Sequence, residues 1–254
     1  MIIQVKDLSG GYNYSPIIRE ISFEMYSGQV TCLLGPNGSG KTTLMKALMG
    51  FLPNVDGQIL LDGQPVRHLS PQERARLIAY IPQMHVPVFD YTVFDIVLMG
   101  RASYLGPFNQ PGKEDHFIAY KSLEQLGIQD LADRKYTKLS GGQRQLVLFA
   151  RALCQQAKLL IMDEPSADLD FAHQQLIANT ILQLKNMDLC ILLSTHAPEM
   201  PFSVADQVLM LQQGKLLIKG SPDEVLTAQT LEQIYGVPMD VVSITDSNGN
   251  SRRL

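Results

Sequence analysis

Short apolar runs separated by turn residues make up the first third of the chain. They predict strands at Met1–Leu8, Ile17–Met25, Val30–Leu34 and Gln58–Asp62, because each run has the length and the flanking turn residues of a strand. The sequence Ser-Pro-Gln-Glu at 70–73 combines a capping box with proline at the first helical position, so it predicts the start of a helix.

A mainly helical pattern follows over residues 90–155. Thr92 is predicted to cap one helix, residues 116–126 have helical spacing, and Ser140 precedes an apolar-periodic segment that ends near Gln156. These features predict a helical block of a different character from the strands before it.

A rhythm of strands and helices then returns, which is typical of a parallel sheet. The predicted elements are a strand at 158–162, a helix at 171–186, and strands at 189–194 and 207–211. Ser221 begins a second capping box, Ser-Pro-Asp-Glu, which predicts a helical C-terminal segment. The chain thus has a β-containing front and an α/β core into which the helical block is inserted.

The composition is that of a globular protein, with 45% apolar and 18% charged residues among 254. A net charge of −4 gives no electrostatic reason to expect a nucleic-acid partner. No signal peptide is recognised, and the longest apolar stretches fall far short of the ~20 residues that span a bilayer, so a soluble chain is expected. Cys32, Cys154 and Cys190 are predicted to be small buried hydrophobic residues.

A glycine-rich loop with the pattern GxxxxGK[ST] follows the strand at Val30–Leu34 and opens a helical segment. In this setting the loop N–H groups and the helix N-terminus bind phosphate, Lys41 reaches the β- and γ-phosphates, and the Thr42 hydroxyl binds Mg²⁺. The sequence therefore predicts an ATP and Mg²⁺ site at this loop. Its residues are Gly35, Pro36, Asn37, Gly38, Ser39, Gly40, Lys41, Thr42 and Thr43.

A second motif, Leu-Ser-Gly-Gly-Gln at 139–143, resembles the signature motif of ATP-binding cassette (ABC) ATPases. Ser140 is predicted to cap a helix, and Gly141 and Gly142 leave N–H groups exposed at its positive end, which makes a second anion site. The resemblance implies that Ser140, Gly141, Gly142 and Gln143 of one subunit complete the ATP site of another. A head-to-tail homodimer, or a dimer with a close relative, is therefore expected.

The run Leu-Leu-Ile-Met-Asp-Glu-Pro at 159–165 has the Walker B pattern, a buried strand that ends in two carboxylates. Asp163 suits the Mg²⁺ shell, and Glu164 is placed to orient or deprotonate the attacking water.

Further residues are assigned by the resemblance alone. His196 resembles the switch histidine that contacts the γ-phosphate, and Gln83 resembles the Q-loop glutamine that senses Mg²⁺ and water. Tyr12 resembles the aromatic residue that stacks on adenine, with Tyr14 as the alternative. Asp170 matches the aspartate that crosses the dimer interface, whereas Asp168 departs from the family pattern. The remaining histidines are interpreted as bystanders, namely His68, His85, His116 and His173.

The resemblance covers about residues 1–240 and implies an α/β fold. That fold is a P-loop NTPase (RecA-like) core with an antiparallel β subdomain and an inserted helical subdomain. Residues 1–86 and 157–225 are predicted to form the core with its β subdomain. Residues 87–156 are predicted to form the helical subdomain, and residues 226–254 a C-terminal extension.

The phrase Thr-Val-Phe-Asp-Ile-Val-Leu-Met-Gly-Arg at 92–101 looks like bacterial importers of iron–siderophore complexes, haem and cobalamin, with molybdate and tungstate importers as relatives. The resemblance thus implies an importer ATPase at the cytoplasmic face of the inner membrane. Its implied partners are two permease subunits and, indirectly, a solute-binding protein. The alternatives are a manganese or zinc importer, a soluble ABC ATPase of translation or DNA repair, and a P-loop enzyme outside the family such as a small-molecule kinase.

Overall fold

A computed structural model of the chain describes residues 2–12, 15–83, 90–106, 108–167, 169–245 and 251–253. Strands and helices are numbered in chain order. The strands are β1 (Ile2–Tyr12), β2 (Ser15–Tyr26), β3 (Val30–Leu34), β4 (Asn54–Leu61), β5 (Gln64–Pro65), β6 (Ile78–Ile81), β7 (Leu159–Asp163), β8 (Cys190–Thr195), β9 (Gln207–Gln212), β10 (Lys215–Gly220), β11 (Ser243–Thr245) and β12 (Ser251–Arg253). The helices are α1 (Lys41–Leu48), α2 (Pro71–Leu77), α3 (Val93–Leu98), α4 (Lys113–Gln125), α5 (Gly141–Cys154), α6 (Phe171–Lys185), α7 (Glu199–Val204), α8 (Pro222–Val225) and α9 (Ala228–Tyr235).

The chain forms two compact units, and the first contains residues 1–68 and 184–254. One sheet of this unit is antiparallel, with the order β2-β1-β4-β5. Its strands are set in register by alternating apolar positions, so that Ile3 lies opposite both Met25 and Leu61 and all three side chains are buried. This is the antiparallel β subdomain that the sequence predicts.

In another sheet of the first unit, β3 lies between β8 and β9, and both neighbours are parallel to it. Every residue of β3 and β8 is buried, which explains why their sequences are continuous apolar runs and not alternating patterns. β10 extends this part of the sheet as an antiparallel edge strand. The parallel arrangement brings the carboxyl ends of β3 and β8 to the same edge of the sheet.

The second unit contains residues 69–183. β6 and β7 pair in parallel, and the helices α3, α4 and α5 surround a core of buried side chains. Fully buried members of this core include Val93, Val97, Leu123, Tyr136 and Val147. The predicted helical block is thus present, while the predicted domain boundaries at 86–87, 156–157 and 225–226 stay a prediction.

A buried arginine holds the segments of this helical core together. Arg101 donates from Nε to the Asp115 carboxylate at 2.9 Å, and from Nη1 to the Cys154 carbonyl at 3.1 Å and to Gln156 at 2.8 Å. Its guanidinium lies 3.8 Å from the centre of the Tyr104 ring. The Arg101 hydrogen bond is the main reason that the pKa of Asp115 is lowered. Asp115 also caps α4, so one side chain ties the start of α4 to the end of α5.

The three cysteines are buried free thiols, as predicted. Burial raises the pKa of each thiol, to about 12 for Cys154 and Cys190. Among the described residues, no helix is both long enough and apolar enough to cross a membrane.

Candidate nucleotide-binding site

The loop after β3 owes its shape to glycine. Gly38 and Gly40 have φ angles of +79° and +105°, in the left-handed region that side chains with a Cβ rarely adopt. A Cβ at Gly35 would lie 2.3 Å from the carbonyl oxygen of Leu211 on β9, so the loop can pass this strand only with glycine there. The loop then delivers the chain into α1, whose N-terminus has no side-chain cap.

The polar groups of this loop fit a phosphate ligand. Lys41 is buried, and its Nζ donates to the carbonyl oxygens of Gly35 at 2.7 Å and Pro36 at 3.1 Å, so its charge lies inside the loop. The Ser39 hydroxyl is also buried and has no hydrogen-bond partner within the described residues. Asn37 and Thr42 are exposed beside them. A cation, an orphaned hydroxyl and an uncapped helix N-terminus are together an anion-binding arrangement.

His196 lies at the same edge of the sheet as this loop. Leu34 and Thr195 are paired residues at the carboxyl ends of β3 and β8, so the loop and His196 both leave the sheet there. The His196 side chain is exposed. Its backbone carbonyl accepts a hydrogen bond of 2.7 Å from the hydroxyl of Tyr235 at the end of α9. The first unit therefore presents an exposed histidine next to a phosphate-type loop.

Tyr12 ends β1 and is 39% exposed. The Nζ of Lys46 on α1 lies 5.7 Å from the centre of its ring, within the range of a cation–π contact. The contact places Tyr12 beside the helix that the glycine-rich loop opens, and leaves much of the ring accessible. Tyr14, the alternative for stacking on adenine, lies outside the described residues.

The second unit gathers Asp163, Glu164 and Gln83 at the carboxyl ends of β6 and β7. These strands are parallel, with Ile81 opposite Met162, so the residues that follow them leave at one edge. Gln83 Nε2 donates to Glu164 Oε2 at 3.5 Å, and the Tyr80 hydroxyl to Asp163 Oδ2, also at 3.5 Å. Burial and Asp163 raise the pKa of Tyr80 to about 12, which keeps it a neutral donor. Carboxylate and amide oxygens are the ligands that Mg²⁺ prefers, so this donor set fits that ion.

Glu164 has a strained backbone, with a φ angle of +48°. A residue with a Cβ pays of the order of 1–3 kcal/mol for this conformation, and such strain concentrates at functional sites. The conformation turns the chain sharply at the end of β7, immediately after the buried Asp163. The two carboxylates have different hydrogen-bond partners, since the Tyr80 hydroxyl contacts Asp163 and the Gln83 amide contacts Glu164.

The signature segment forms the predicted helix start. The Ser140 hydroxyl accepts from the Gln143 N–H, and the Gln143 side chain accepts from the Ser140 N–H, each at 3.2 Å. Gln143 therefore completes a capping box, a role that the sequence reasoning assigned only to Ser140. Gly141 and Gly142 follow as the first two residues of α5.

A short segment before and within α6 packs against these two glycines. A Cβ at Gly142 would lie 1.9 Å from His173 Cδ2, and a Cβ at Gly141 would lie 3.3 Å from Leu169 Cδ2. The Asp170 carboxylate accepts from the His173 N–H at 2.9 Å and from His173 Nδ1 at 2.8 Å. Asp170 thus caps α6 and fixes the imidazole that covers Gly142. The two hydrogen bonds from His173 lower the pKa of Asp170.

The structure thus places the predicted site residues on two separate units. Tyr12, the loop at 35–43 and His196 belong to the first, and Gln83, the carboxylates at 163 and 164, the signature residues and Asp170 belong to the second. Asp168 lies outside the described residues. His173 was interpreted as a bystander in the sequence, and only its position three residues after Asp170 hinted at this contact.

The packing of His173 on Gly142 makes Gly142→Ala a destabilising change. The new methyl group would overlap the imidazole, and Asp170 holds that ring in place. Overpacking of this kind costs about 1–3 kcal/mol, and we expect a loss of that size in the free energy of unfolding measured by chemical denaturation.

The matched control is Gly112→Ala, because a Cβ there would find only the Asp115 carboxylate, at 3.9 Å, and the backbone is extended. Removing the ring with His173→Ala in the Gly142→Ala chain is expected to recover most of the lost stability, because the effects of substitutions at two contacting residues do not add. Wild-type stability of Gly142→Ala would show that this contact is not close in solution.

Comparison with known proteins identifies the family of this chain. Residues 18–167, more than half of the chain, match the ABC transporter family. A Haemophilus influenzae protein described as an uncharacterized ABC transporter ATP-binding protein is 40% identical over 235 residues, which are 92% of this chain and 89% of that protein. A Helicobacter pylori protein described as a probable iron chelatin transport ATP-binding protein is 38% identical over 244 residues, 95% of this chain and 96% of that protein.

A solved structure of a metal-chelate type ABC transporter, in an inward-facing conformation, has the same fold. Its TM-score is 0.88 at 29% identity, and the alignment covers 99% of this chain and 96% of that one. The family resemblance, the fold class and the ATPase activity predicted from sequence are confirmed. The chain therefore belongs to the ABC transporter family, as one of its nucleotide-binding, ATP-hydrolysing proteins.

Proposed function

We propose that this chain is the ATPase subunit of a bacterial importer for a metal-chelate type solute, of the iron–siderophore, haem or cobalamin kind. Two observations carry the ATPase role: the first unit contains a phosphate-type loop, and the second unit contains the Gln83, Asp163 and Glu164 cluster. The observation that carries the solute class is the similarity to an iron chelatin transport protein and to a metal-chelate type transporter.

The loop residues bind the triphosphate in this proposal. The N–H groups between Gly35 and Thr43 point to the phosphate oxygens, and Lys41 exchanges its two backbone carbonyl partners for the β- and γ-phosphates. The buried Ser39 hydroxyl gains the partner that it lacks within the described chain. Tyr12 stacks on the adenine through its accessible face, which remains open despite the contact with Lys46.

The hydrolytic residues act on a single water molecule. Thr42, Gln83 and Asp163 would hold Mg²⁺, which when bound neutralises charge on the β- and γ-phosphates. Glu164 accepts the proton of the attacking water, and the amide of Gln83 orients both the water and the Glu164 carboxylate. His196 contacts the γ-phosphate and stabilises the charge that develops there.

A second copy of the chain completes each site. The signature residues form the N-terminus of α5 and are Ser140, Gly141, Gly142 and Gln143. In the dimer, the positive end of this helix dipole faces the γ-phosphate bound to the other copy and stabilises its charge. Asp170 lies directly beside this helix start through its contact with His173, and its exposed carboxylate is available to cross the interface. The proposed assembly is therefore a head-to-tail homodimer with two ATP molecules between the copies.

The proposed membrane partners are two permease subunits, and a solute-binding protein that reaches the permease from the other side. The chain itself would lie at the cytoplasmic face of the inner membrane as a peripheral subunit. No nucleic-acid partner is proposed, because the net charge is −4. Import of manganese or zinc is the second candidate for the solute.

Capture of the native complex tests this proposal. The full chain, tagged and expressed in its own host, is extracted from membranes with a mild detergent, and co-purifying proteins are identified by mass spectrometry. A polytopic permease together with a solute-binding protein is the expected result. Metal and organic analysis of that binding protein then distinguishes a metal chelate from free zinc or manganese. The same tag on an unrelated soluble protein is the control.

Recovery of ribosomal or DNA-repair proteins, with no membrane protein, would overturn the transport role and leave the ATPase intact. A permease whose binding protein holds bare zinc or manganese would overturn only the solute class.

A further inference from the structure

The hydroxyl of Tyr235 lies against the backbone of the proposed switch histidine. Tyr235 Oη donates to the His196 carbonyl oxygen over 2.7 Å, although the two residues are 39 positions apart in the chain. Both residues belong to the first unit. The contact joins the last residue of α9 to the turn that follows β8.

The donor side of this hydrogen bond is held in place. Leu231 and Ile234 of α9 are buried, with 3% and 7% exposure. The Thr227 hydroxyl caps the start of the helix by accepting from the Thr230 N–H at 3.2 Å, and Gly236 ends it in the left-handed conformation with φ +72°. The helix therefore presents the Tyr235 ring from a fixed position.

The acceptor side is a tight turn. Thr195 ends the buried strand β8, and its hydroxyl accepts from the Ala197 N–H at 3.0 Å, so the residues on both sides of His196 are tied to each other. The Tyr235 hydrogen bond also fixes a polar group of this turn, the carbonyl of His196. Because that carbonyl and the imidazole extend from the same Cα, the hydrogen bond fixes the backbone from which the exposed imidazole extends.

The phenol is suited to act as a permanent donor. Tyr235 is half-buried, and burial, together with Cys32 and Glu199, raises its pKa to about 12. The hydroxyl is therefore protonated throughout the physiological range.

We propose that Tyr235 is a positioning residue for His196, whose hydroxyl holds the His196 peptide so that the imidazole meets the γ-phosphate. The inference rests on the proposed role of His196. It makes ATP hydrolysis depend on α9, in the segment predicted as a C-terminal extension, without any contact between that helix and the nucleotide. Loss of the hydroxyl then affects the chemical step and leaves nucleotide binding unchanged.

Tyr235→Phe tests this role, because it removes one oxygen atom and keeps the buried ring. We expect kcat of the full chain for ATP to fall about five- to tenfold, the effect of one lost hydrogen bond, with KM and the calorimetric ATP affinity within twofold of wild type. The matched control is Tyr104→Phe. Its hydroxyl also donates to a backbone carbonyl, that of Gln155 at 3.1 Å, and its kcat is expected to be unchanged.

A double-mutant cycle with His196→Ala separates positioning from general destabilisation. If Tyr235 acts through His196, then Tyr235→Phe has no further effect on the residual single-turnover rate of His196→Ala. Additive losses in the double variant, or an equal fall in ATP affinity, would overturn the inference, and so would a Tyr235→Phe rate equal to that of Tyr104→Phe. Thermal unfolding of each variant verifies that it is folded. Should Tyr235→Phe unfold, Tyr235→His replaces it, since a ring N–H restores a donor and is expected to retain part of the rate.

The two proposals fail in different ways. Wild-type hydrolysis by His196→Ala would remove the proposed switch role itself. A slow His196→Ala beside a fully active Tyr235→Phe would leave the switch role and remove only the inference about Tyr235.

Discussion

Glu164→Gln is expected to bind ATP normally and to hydrolyse it at least about 100-fold more slowly, the scale on which a general base contributes. The amide has nearly the same shape as the carboxylate but cannot accept a proton from water. Asp163, which is proposed to hold the metal ion, is unchanged. Single-turnover hydrolysis measures the rate, and calorimetry with Mg-ATP measures the affinity.

The control is Glu124→Gln, the same chemical change on the exposed face of α4, which is expected to leave both quantities unaltered. Glutamine and glutamate carry the same Cβ, so the strain of the left-handed backbone at position 164 is expected to be equal in Glu164→Gln and in the wild type. Turnover within threefold of wild type would contradict the role of Glu164 as the base. Gln83 or a water network would then have to orient the nucleophile without it.

Local signals in the sequence predicted the helix starts best. Ser70 and Thr92 each accept from the backbone N–H three residues later, as predicted from the capping sequences. Ser140 does the same, although its partner Gln143 was not recognised. A helix cap is formed by residues within one turn of each other, so the local sequence alone is enough to predict it.

Strands were predicted best where turn residues flank a continuous apolar run. β3 was predicted with its exact bounds, because a five-residue apolar run between turn residues has the length of a strand and is too short for a typical helix. The strands β5, β6, β10, β11 and β12 were missed. β6 follows α2 directly, so no turn residue in the sequence marks the change from helix to strand. The C-terminal segment predicted from Ser221 is divided into α8 and α9 by Leu226 and Thr227.

Contacts between distant segments were beyond the reach of sequence patterns. The packing of His173 on Gly142, and the Tyr235 hydrogen bond to His196, each join residues more than 30 positions apart. Neither partner has a spacing that signals the other, because the contacts depend on how whole helices pack. The motifs predicted the groups that are proposed to meet the nucleotide, whereas the contacts of His173 and Tyr235 with those segments became visible only in the fold.

Lys41→Ala is expected to abolish tight ATP binding, with an affinity at least about 100-fold weaker by calorimetry. The change removes a buried charge that donates to two loop carbonyls, and charge-assisted hydrogen bonds are worth about 1.5–3 kcal/mol each. Without the ammonium group, the carbonyls of Gly35 and Pro36 remain turned toward the place where the phosphates bind. Their partial negative charge adds repulsion to the lost attraction.

Lys121→Ala, on the exposed surface of α4, removes the same charge from the chain as a whole and is expected to bind ATP normally. The thermal midpoint of Lys41→Ala distinguishes a damaged fold from a lost ligand contact, since a folded variant that does not bind ATP is the expected outcome. Unchanged affinity would contradict the phosphate role of this loop. Together with Glu164→Gln, the two variants separate the steps, because one binds ATP without hydrolysing it and the other fails before hydrolysis can begin.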